Sequence, residues 1–166
     1  MSRARLVLAL AAAVALVLAG REAVAPDAPT GAGRVVRVVD GDTIQVDVDG
    51  RREKVRYIGV DTPESVKPGT PVQCFAKRAS AFNKHLVAGE RVRLVPDAEA
   101  RDRYGRLLAY VYRASDGLFV NAALVRHGYA HTLTIPPNVA HAAQFRRLAS
   151  GARHAGRGLW SACRSS

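Results

Sequence analysis

The chain has 166 residues, of which 48% are hydrophobic and two are cysteines. This composition predicts one globular domain and excludes a disulfide-packed miniprotein and a disordered polyelectrolyte. The 25 lysines and arginines outnumber the 14 acids, and the formal net charge of +11 favours polyanionic partners: nucleic acid, anionic lipid or acidic glycan. A basic exported protein without a polyanionic partner is the alternative.

The N-terminal segment has the features of a secretory signal. Arg3 and Arg5 precede fifteen uncharged, mostly apolar residues at 6–20, and Ala23-Val24-Ala25 offers a small-residue cleavage site. We therefore predict a signal peptide at 1–25 and export, with an uncleaved N-terminal anchor as the alternative. Fifteen residues are fewer than the roughly 20 that a spanning helix needs, so no stable membrane span is expected.

A segment at 26–33 with two prolines and two glycines is predicted to be a linker, and the domain is predicted at 34–166. The domain begins with three stretches of alternating polar and apolar residues, at 34–39, 43–48 and 52–60. Asp49-Gly50 between the second and third stretch is typical of a two-residue hairpin turn. The pattern predicts three antiparallel strands followed by a proline-containing loop.

Helices and strands are mixed in the rest of the chain. Apolar residues recur at helical spacing from Phe75 to Leu86 and predict a helix that Gly89 ends. Two further strands are predicted at 91–95 and 106–113, a short helix capped by Asn121, and a last helix around 145–152. The fold class is therefore α+β, compatible with a five-stranded antiparallel oligonucleotide-binding (OB) barrel with three helices.

Three segments carry the residues suited to chemistry. They are VDGDT at 39–43, VRYIGVDTPE at 55–64 and RDRYGR at 101–106. Each alone is also explained as a turn or a charged loop. Together they provide acids and arginines in a chain whose charge favours an anionic partner. Phosphodiester hydrolysis needs a cation at a non-bridging oxygen, an activated water, donors for the transition-state charge and a proton for the leaving oxygen.

The stretches VVDGDTI, VRYIGVDTPE and RYGRLLAYVY, followed by ALVRHGYA and GLWS, resemble the staphylococcal nuclease (thermonuclease) family in order and spacing over residues 35–161. The resemblance implies a five-stranded OB barrel with three helices and calcium-dependent endonucleolytic cleavage of DNA and RNA, single-stranded or locally opened. A monomer is expected. A non-catalytic nucleic-acid-binding OB module is the alternative, since this fold also binds without cutting.

The resemblance also implies a metal site. Asp42 and Asp61 match the carboxylates that bind Ca²⁺, and the backbone carbonyl of Thr62 completes the protein ligands. Oxygen donors with open positions suit this hard cation. Asp40 matches an acid that supports the site from just outside it, and a role as a turn former is the alternative. Glu64 matches the residue that orients or deprotonates the attacking water.

Further residues match groups that hold the substrate. Arg56 and Arg106 correspond to two guanidiniums that clamp the phosphate, and a bidentate fork suits that task. Arg103 and Tyr104 match nucleotide-contacting positions. The sequence departs from the family where Leu133 and Ile135 replace two substrate-binding tyrosines. We expect weaker base stacking there and an intact reaction.

The hairpin turn sets a geometric condition on this site. If Asp49-Gly50 form the turn, facing residues of the two strands have numbers that sum to 99, which places Arg56 opposite Thr43. Arg56 then does not share a face with Asp42, and the chain must bend or bulge near Asp42 for the site to converge.

In an exported protein, Cys74 and Cys163 favour a disulfide over a metal pair or a nucleophile, because no CxxC pattern or adjacent histidine accompanies them. The bond would close a loop of about ninety residues. The five histidines are dispersed without HxxxH or HExxH spacing, which favours surface or cap positions over a zinc site.

Overall fold

A computed structural model describes residues 31–65, 69 and 71–163. The predicted signal peptide and residues 26–30 of the predicted linker lie outside the described residues. In the described part the strands are β1 Ala32–Val38, β2 Thr43–Val48, β3 Arg51–Tyr57, β4 Val60–Asp61, β5 Arg91–Val95, β6 Leu107–Arg113 and β7 His131–Thr132. The helices there are α1 Ala76–Val87, α2 Val120–Arg126, α3 Ala142–His154 and α4 Leu159–Ala162.

Five strands close into a barrel in the order β1-β2-β3-β6-β5, as expected for an OB barrel. The predicted antiparallel pairing is wrong at one position, because β3 and β6 run parallel, with Val55 facing Leu107 and Tyr57 facing Ala109. Between them the chain passes through β4, α1 and β5. A crossover of that length allows a parallel pair, which a short hairpin cannot form. The barrel is therefore mixed.

The β2–β3 hairpin has the predicted register. Its pairs run from Thr43 opposite Arg56 to Val48 opposite Arg51. Asp49 and Gly50 both have positive φ, 51° and 79°, as a type I′ turn requires. The Asp47 carboxylate accepts a hydrogen bond from the Gly50 N–H at 2.9 Å. Local turn chemistry thus fixes the strand alignment on which the site depends.

The core fills the barrel and continues beneath the helices. In β2 the side chains of Ile44, Val46 and Val48 are buried, while Gln45 and Asp47 face outward. A second layer of aromatic rings lies between β6, α2 and α3, where Phe145 is 6.3 Å from Tyr110 between ring centroids. The helices therefore cover one side of the barrel.

Two strand boundaries differ from the prediction. β1 begins at Ala32, two residues before the predicted domain start. The third predicted strand, 52–60, is divided: β3 ends at Tyr57, the chain turns at Gly59 with φ 79°, and β4 pairs with β7. A side chain at Gly59 would collide with Phe145, since an added Cβ would lie 2.4 Å from that ring. Packing against α3 thus requires a glycine at this turn.

The helices also differ from the prediction at two positions. Asn121 is not a helix cap: α2 begins at Val120 after Phe119, and Asn121 is buried. Its amide accepts a hydrogen bond from the Val111 N–H and donates one to the Ile58 carbonyl, both at 2.9 Å. Asn121 therefore joins β6 to the turn before β4. Four residues form the unpredicted α4, which is too short for a periodic signal.

The structure joins Cys74 and Cys163 in a disulfide, as predicted, with the two Cα atoms 5.9 Å apart. The bond connects the segment before α1 to the end of α4. Among the described residues, no helix has the length and apolar character needed to cross a membrane.

Reducing the disulfide should lower the free energy of unfolding without changing the chemistry of the site. The bond spans 89 positions, and the chain-entropy model gives up to about 4 kcal/mol for a loop of that size. Denaturant unfolding with and without reductant, and of the Cys74→Ser/Cys163→Ser variant, measures the loss. Equal stabilities in the oxidised and reduced protein would contradict this prediction.

Candidate active site

Asp42 is buried at the start of β2, where its carboxylate is surrounded by donors. Oδ2 accepts hydrogen bonds from the Thr62 N–H at 2.7 Å and the Thr62 hydroxyl at 2.9 Å. Oδ1 accepts from the Thr43 hydroxyl at 3.2 Å and lies 3.3 Å from Arg56 Nε. These four contacts hold the carboxylate in one orientation.

The hairpin register requires the chain to bend or bulge near Asp42 for the site to converge. The structure has a bend there. Residues 40–42 curve out of the ladder before β2, while the β-bulge lies in β1 between Val35 and Arg37. Gly41 packs against Thr62, where an added Cβ would lie 2.5 Å from the threonine Oγ1. The bend therefore brings Asp42 to Arg56 although the two residues are not partners in the ladder.

Arg56 lies between the two predicted calcium carboxylates. Nη2 donates to Asp61 Oδ1 at 3.0 Å, and Nε lies 3.3 Å from Asp42 Oδ1. Nη1 donates to the carbonyls of Tyr57 and Val60 at 2.9 and 2.8 Å. The side chain is 13% exposed. A single cation thus contacts both carboxylates, and the backbone fixes its position.

Two acids close to Arg56 and Asp42 have raised pKa values. Burial, with the adjacent charge of Asp42 as a smaller cause, raises the pKa of Asp40 to about 6. Burial also raises the pKa of Asp61, against the opposing charge of Arg56. Asp40 Oδ1 accepts the Asp42 N–H at 3.0 Å, so this carboxylate shapes the turn beside the site.

The donor set fits a hard divalent cation. Two carboxylates converge on one positive group, and Asp61 is open to solvent, with 55% of its side chain exposed. Such oxygen donors with open positions suit Ca²⁺. In the described part of the chain no three His, Cys, Asp or Glu side chains form a metal cluster. The predicted calcium ligands would not form such a cluster, because only two of them, Asp42 and Asp61, are carboxylate side chains. The third is the backbone carbonyl of Thr62.

A cavity of about 210 Å³ unites most of the predicted catalytic residues. Its lining consists of Asp40, Asp42, Thr43, Arg56, Asp61, Thr62, Pro63, Glu64 and Arg106. The three segments singled out in the sequence therefore meet here. Glu64 enters from the loop after β4, and Arg106 enters from the turn before β6.

Arg106 is positioned by Asp102, to which sequence reasoning gave no role. Arg106 Nε donates to Asp102 Oδ2 at 2.7 Å, and the Arg106 and Tyr104 N–H groups donate to Asp102 Oδ1. Burial acts to raise the pKa of Asp102, but its bonds to Arg106 and Tyr104 lower it overall. The sequence signal that could have indicated this ion pair is an acid and an arginine four residues apart in one motif.

A second cavity of about 470 Å³ adjoins the first and shares Arg56 and Arg106 with it. Tyr104, 68% exposed, contributes to its lining with Leu133 and Ile135. Arg103 Nη2 donates to the Tyr104 hydroxyl at 2.6 Å. The predicted nucleotide-contacting residues and the two aliphatic replacements thus line one pocket beside the phosphate-sized cavity.

Gln73 makes two hydrogen bonds to the backbone of Glu64 that the sequence did not reveal. Its Oε1 accepts the Glu64 N–H at 2.8 Å, and its own N–H donates to the Glu64 carbonyl at 3.0 Å. The two bonds connect the ends of the loop between β4 and α1. No local pattern signals this pair, because nine residues separate its members.

Given the water-activating role that the family resemblance implies for Glu64, replacing Gln73 with alanine should lower kcat about tenfold and leave KM nearly unchanged, because misplacing a reacting group costs rate more than binding. Steady-state cleavage of a DNA oligonucleotide measures both constants. Gln144→Ala, which removes a glutamine paired with His141, is the matched control. A kcat within twofold of the wild type would show that Gln73 does not position Glu64.

Comparison with known proteins decides the family. A family model described as staphylococcal nuclease homologue matches residues 54–162. The chain is 42% identical over 128 residues to a thermonuclease of Staphylococcus hyicus, covering 77% of this chain and 75% of the relative. The chain belongs to the staphylococcal nuclease family.

Other relatives in the family carry nuclease names as well. A thermonuclease of Staphylococcus intermedius is 54% identical over 104 residues, covering 63% of this chain and 61% of the relative. Endonuclease YncB of Bacillus subtilis is 42% identical over 127 residues, covering 75% of this chain and 59% of the relative. The chain thus spans about three fifths of the length of these two. Membership in the staphylococcal nuclease family accounts for the barrel and for the order of the three site segments.

Proposed function

We propose that this member of the staphylococcal nuclease family is an exported, calcium-dependent endonuclease that hydrolyses phosphodiester bonds of DNA and RNA. The observation that carries the proposal is the 210 Å³ cavity, in which two carboxylates, Glu64 and two arginines face one another. Relatives named thermonuclease and endonuclease support the same activity. Binding alone does not require acids at a phosphate site, which disfavours a non-catalytic OB module.

Asp42, Asp61 and the carbonyl of Thr62 would hold the calcium ion. When bound, such an ion supplies positive charge at a non-bridging phosphate oxygen. The buried orientation of Asp42, fixed by Thr43 and Thr62, presents its charge without a cost of reorganisation during the reaction. Asp40 holds the turn that carries Asp42.

Glu64 accepts a proton from the attacking water as the water oxygen bonds to phosphorus; the bond from phosphorus to the leaving oxygen breaks, and that oxygen takes up a proton from solvent. The two arginines stabilise the charge that develops on the phosphate. The two arginines contribute in different ways, because their hydrogen-bond partners differ. Arg56 already commits four contacts to two carboxylates and two carbonyls. Arg106 uses Nε for Asp102, while its two Nη atoms make no hydrogen bond among the described residues. Arg106 therefore offers the fork for the phosphate, and Arg56 positions the carboxylates while contributing charge.

The test is hydrolysis by the purified chain. Plasmid DNA and a defined RNA should both be cut internally in millimolar calcium, and excess chelator should abolish cleavage until calcium is restored. Binding of both substrates in calcium without any new ends would favour the non-catalytic module. Cleavage at full rate in chelator would overturn the metal assignment.

Export is part of the proposal and rests on the N-terminal sequence and the disulfide. The disulfide fits an oxidising compartment. Fractionation of expressing cells should recover nuclease activity outside the cytoplasm, in a chain shortened by about 25 residues if the signal is cleaved. A full-length chain in the membrane fraction would support the uncleaved anchor.

Substrate affinity should depend mainly on phosphate contacts. A stacked base contributes about 1–3 kcal/mol, and Leu133 and Ile135 provide aliphatic walls where two rings would stack. Kd for a short single strand should therefore rise steeply with salt and vary little with base. Leu133→Tyr should tighten binding at every salt concentration with nearly the same salt slope. A Kd nearly independent of salt would contradict this view.

A further inference from the structure

The acidic residues of this chain are confined to its first 116 residues. All 14 acids lie at or before Asp116, whereas residues 117–163 contain five arginines, four histidines and no acid. These residues form α2, β7, α3 and α4, the helical layer beside the barrel. A surface of arginines without carboxylates has few internal partners and attracts polyanions.

Part of this layer is continuous with the proposed metal site. His131 of β7 is the direct partner of Asp61 of β4 in the two-stranded sheet. The His131 ring contacts Trp160 edge-on, with centroids 4.9 Å apart. The guanidinium of Arg153 lies over the Trp160 ring at 4.4 Å. We call His131, Arg153, Arg157 and Trp160 the Trp160 face.

β7 contains His131 of the Trp160 face, and Leu133, which lines the 470 Å³ cavity, follows directly after this strand. The N–H of Leu133 donates to the Gly59 carbonyl, and two residues earlier His131 faces Asp61. His131, which is paired with Asp61 and in ring contact with Trp160, therefore joins the proposed metal site to the Trp160 face.

We propose that the Trp160 face binds the phosphate backbone of the nucleic acid substrate beyond the cleaved bond. This inference rests on the proposed function, which it extends by a second contact region. A guanidinium stacked on an aromatic ring uses its flat face and keeps its in-plane N–H groups for a phosphate. Arg157 is exposed one turn before Trp160 and adds a second cation; its Nη1 donates to the Arg126 carbonyl at 3.3 Å, which leaves its other N–H groups for a phosphate.

The composition of the face favours nucleic acid over an anionic lipid surface. A helix that lies in a membrane interface needs large apolar side chains on its buried side. The large exposed apolar side chains of the described residues are Val36, Val72, Tyr104, Leu133, Ile135 and Val139, all outside α3 and α4. The exposed positions of α3 instead include Arg146, Arg147 and Arg153.

The Trp160 indole gives a direct readout. Trp160 is the single tryptophan of the chain, and its buried Nε1 has no hydrogen-bond acceptor among the described residues. The Trp160 ring contacts the Arg153 guanidinium and the His131 ring. Adding a 20-nucleotide single strand to the Glu64→Gln protein in calcium should change its fluorescence, and a trinucleotide should change it much less.

The deciding experiment compares substrates of two lengths. In Arg153→Gln/Arg157→Gln, the ratio of kcat/KM for a 20-nucleotide strand to kcat/KM for a trinucleotide should fall about tenfold. The salt slope of 20-mer binding should fall by about 1.4, at roughly 0.7 per lost phosphate contact. Arg51→Gln/Arg91→Gln removes the same charge from exposed barrel strands and is the matched control.

The single variant Arg157→Gln keeps the Arg153–Trp160 contact and should lower the 20-mer to trinucleotide ratio of kcat/KM about threefold. It tests the proposal even if the double variant has a folding defect. A ratio equal to that of the wild type, or an equal fall in the control, would overturn the proposal. Loss of binding to phosphatidylglycerol vesicles with an unchanged ratio would assign the face to lipid. Failure of the wild type to cut either substrate would instead refute the proposed function.

Discussion

Glu64→Gln should lower kcat about 10²–10⁴-fold, because glutamine cannot accept the proton of the attacking water. Glu64 lines the 210 Å³ cavity with Asp42, Asp61 and Arg106, while its backbone is held by Gln73. The substitution keeps the size of the side chain and the hydrogen bonds of the backbone. Calcium-dependent binding of an oligonucleotide should therefore stay within about threefold of the wild-type value.

Single-turnover cleavage and fluorescence anisotropy on the same protein measure the two quantities. Glu90→Gln, in which an acid is neutralised at the start of β5, is the matched control and should cut at the wild-type rate. A Glu64→Gln protein with wild-type turnover would remove Glu64 from the reaction. A large loss of binding together with rate would assign it to substrate or metal binding.

Arg56→Lys and Arg106→Lys should each lower kcat/KM about 10²–10³-fold, although the charge is conserved, because an ammonium does not reproduce the planar fork. Their effects on stability should differ. Arg56 is 13% exposed and contacts Asp42, Asp61 and two carbonyls, so its loss leaves Asp42 without its full set of partners. We expect a fall in the free energy of unfolding of about 3 kcal/mol.

Arg106 is more open, and its ion pair with Asp102 is partly exposed. Arg106→Lys should therefore cost less than about 1 kcal/mol of stability. Denaturant titration gives the stabilities, and initial rates at several substrate concentrations give kcat/KM. Equal losses of stability in the two variants would contradict the division of roles between Arg56 and Arg106. Retained activity in either would remove that residue from phosphate stabilisation.

Features that depend on neighbours in the chain could be predicted from the sequence. The alternation in 43–48 and the Asp49-Gly50 turn specify two strands and their register, because side-chain direction has a period of two and a type I′ turn requires positive φ. The register in turn required the bend that the structure has at 40–42. The site residues came from three motifs and their family resemblance, and their chemical roles stay predictions.

Features that depend on the path of the chain could not be predicted in the same way. The parallel β3–β6 pair follows from a long crossover, and the β4–β7 pair places His131 beside Asp61. Asn121 became a buried connection because α2 begins one residue before it and packs against β6.

The sequence by itself determined the barrel strands, the hairpin register, the cysteine pair and the acids and arginines available for chemistry. Only the tertiary structure decided that Arg56 lies between Asp42 and Asp61, that Gln73 holds Glu64, and that Trp160 lies near the site. The physical reason is that these contacts join residues distant in sequence. Local propensities fix backbone direction and turn type, but which side chains meet depends on how the closed barrel and its helices pack.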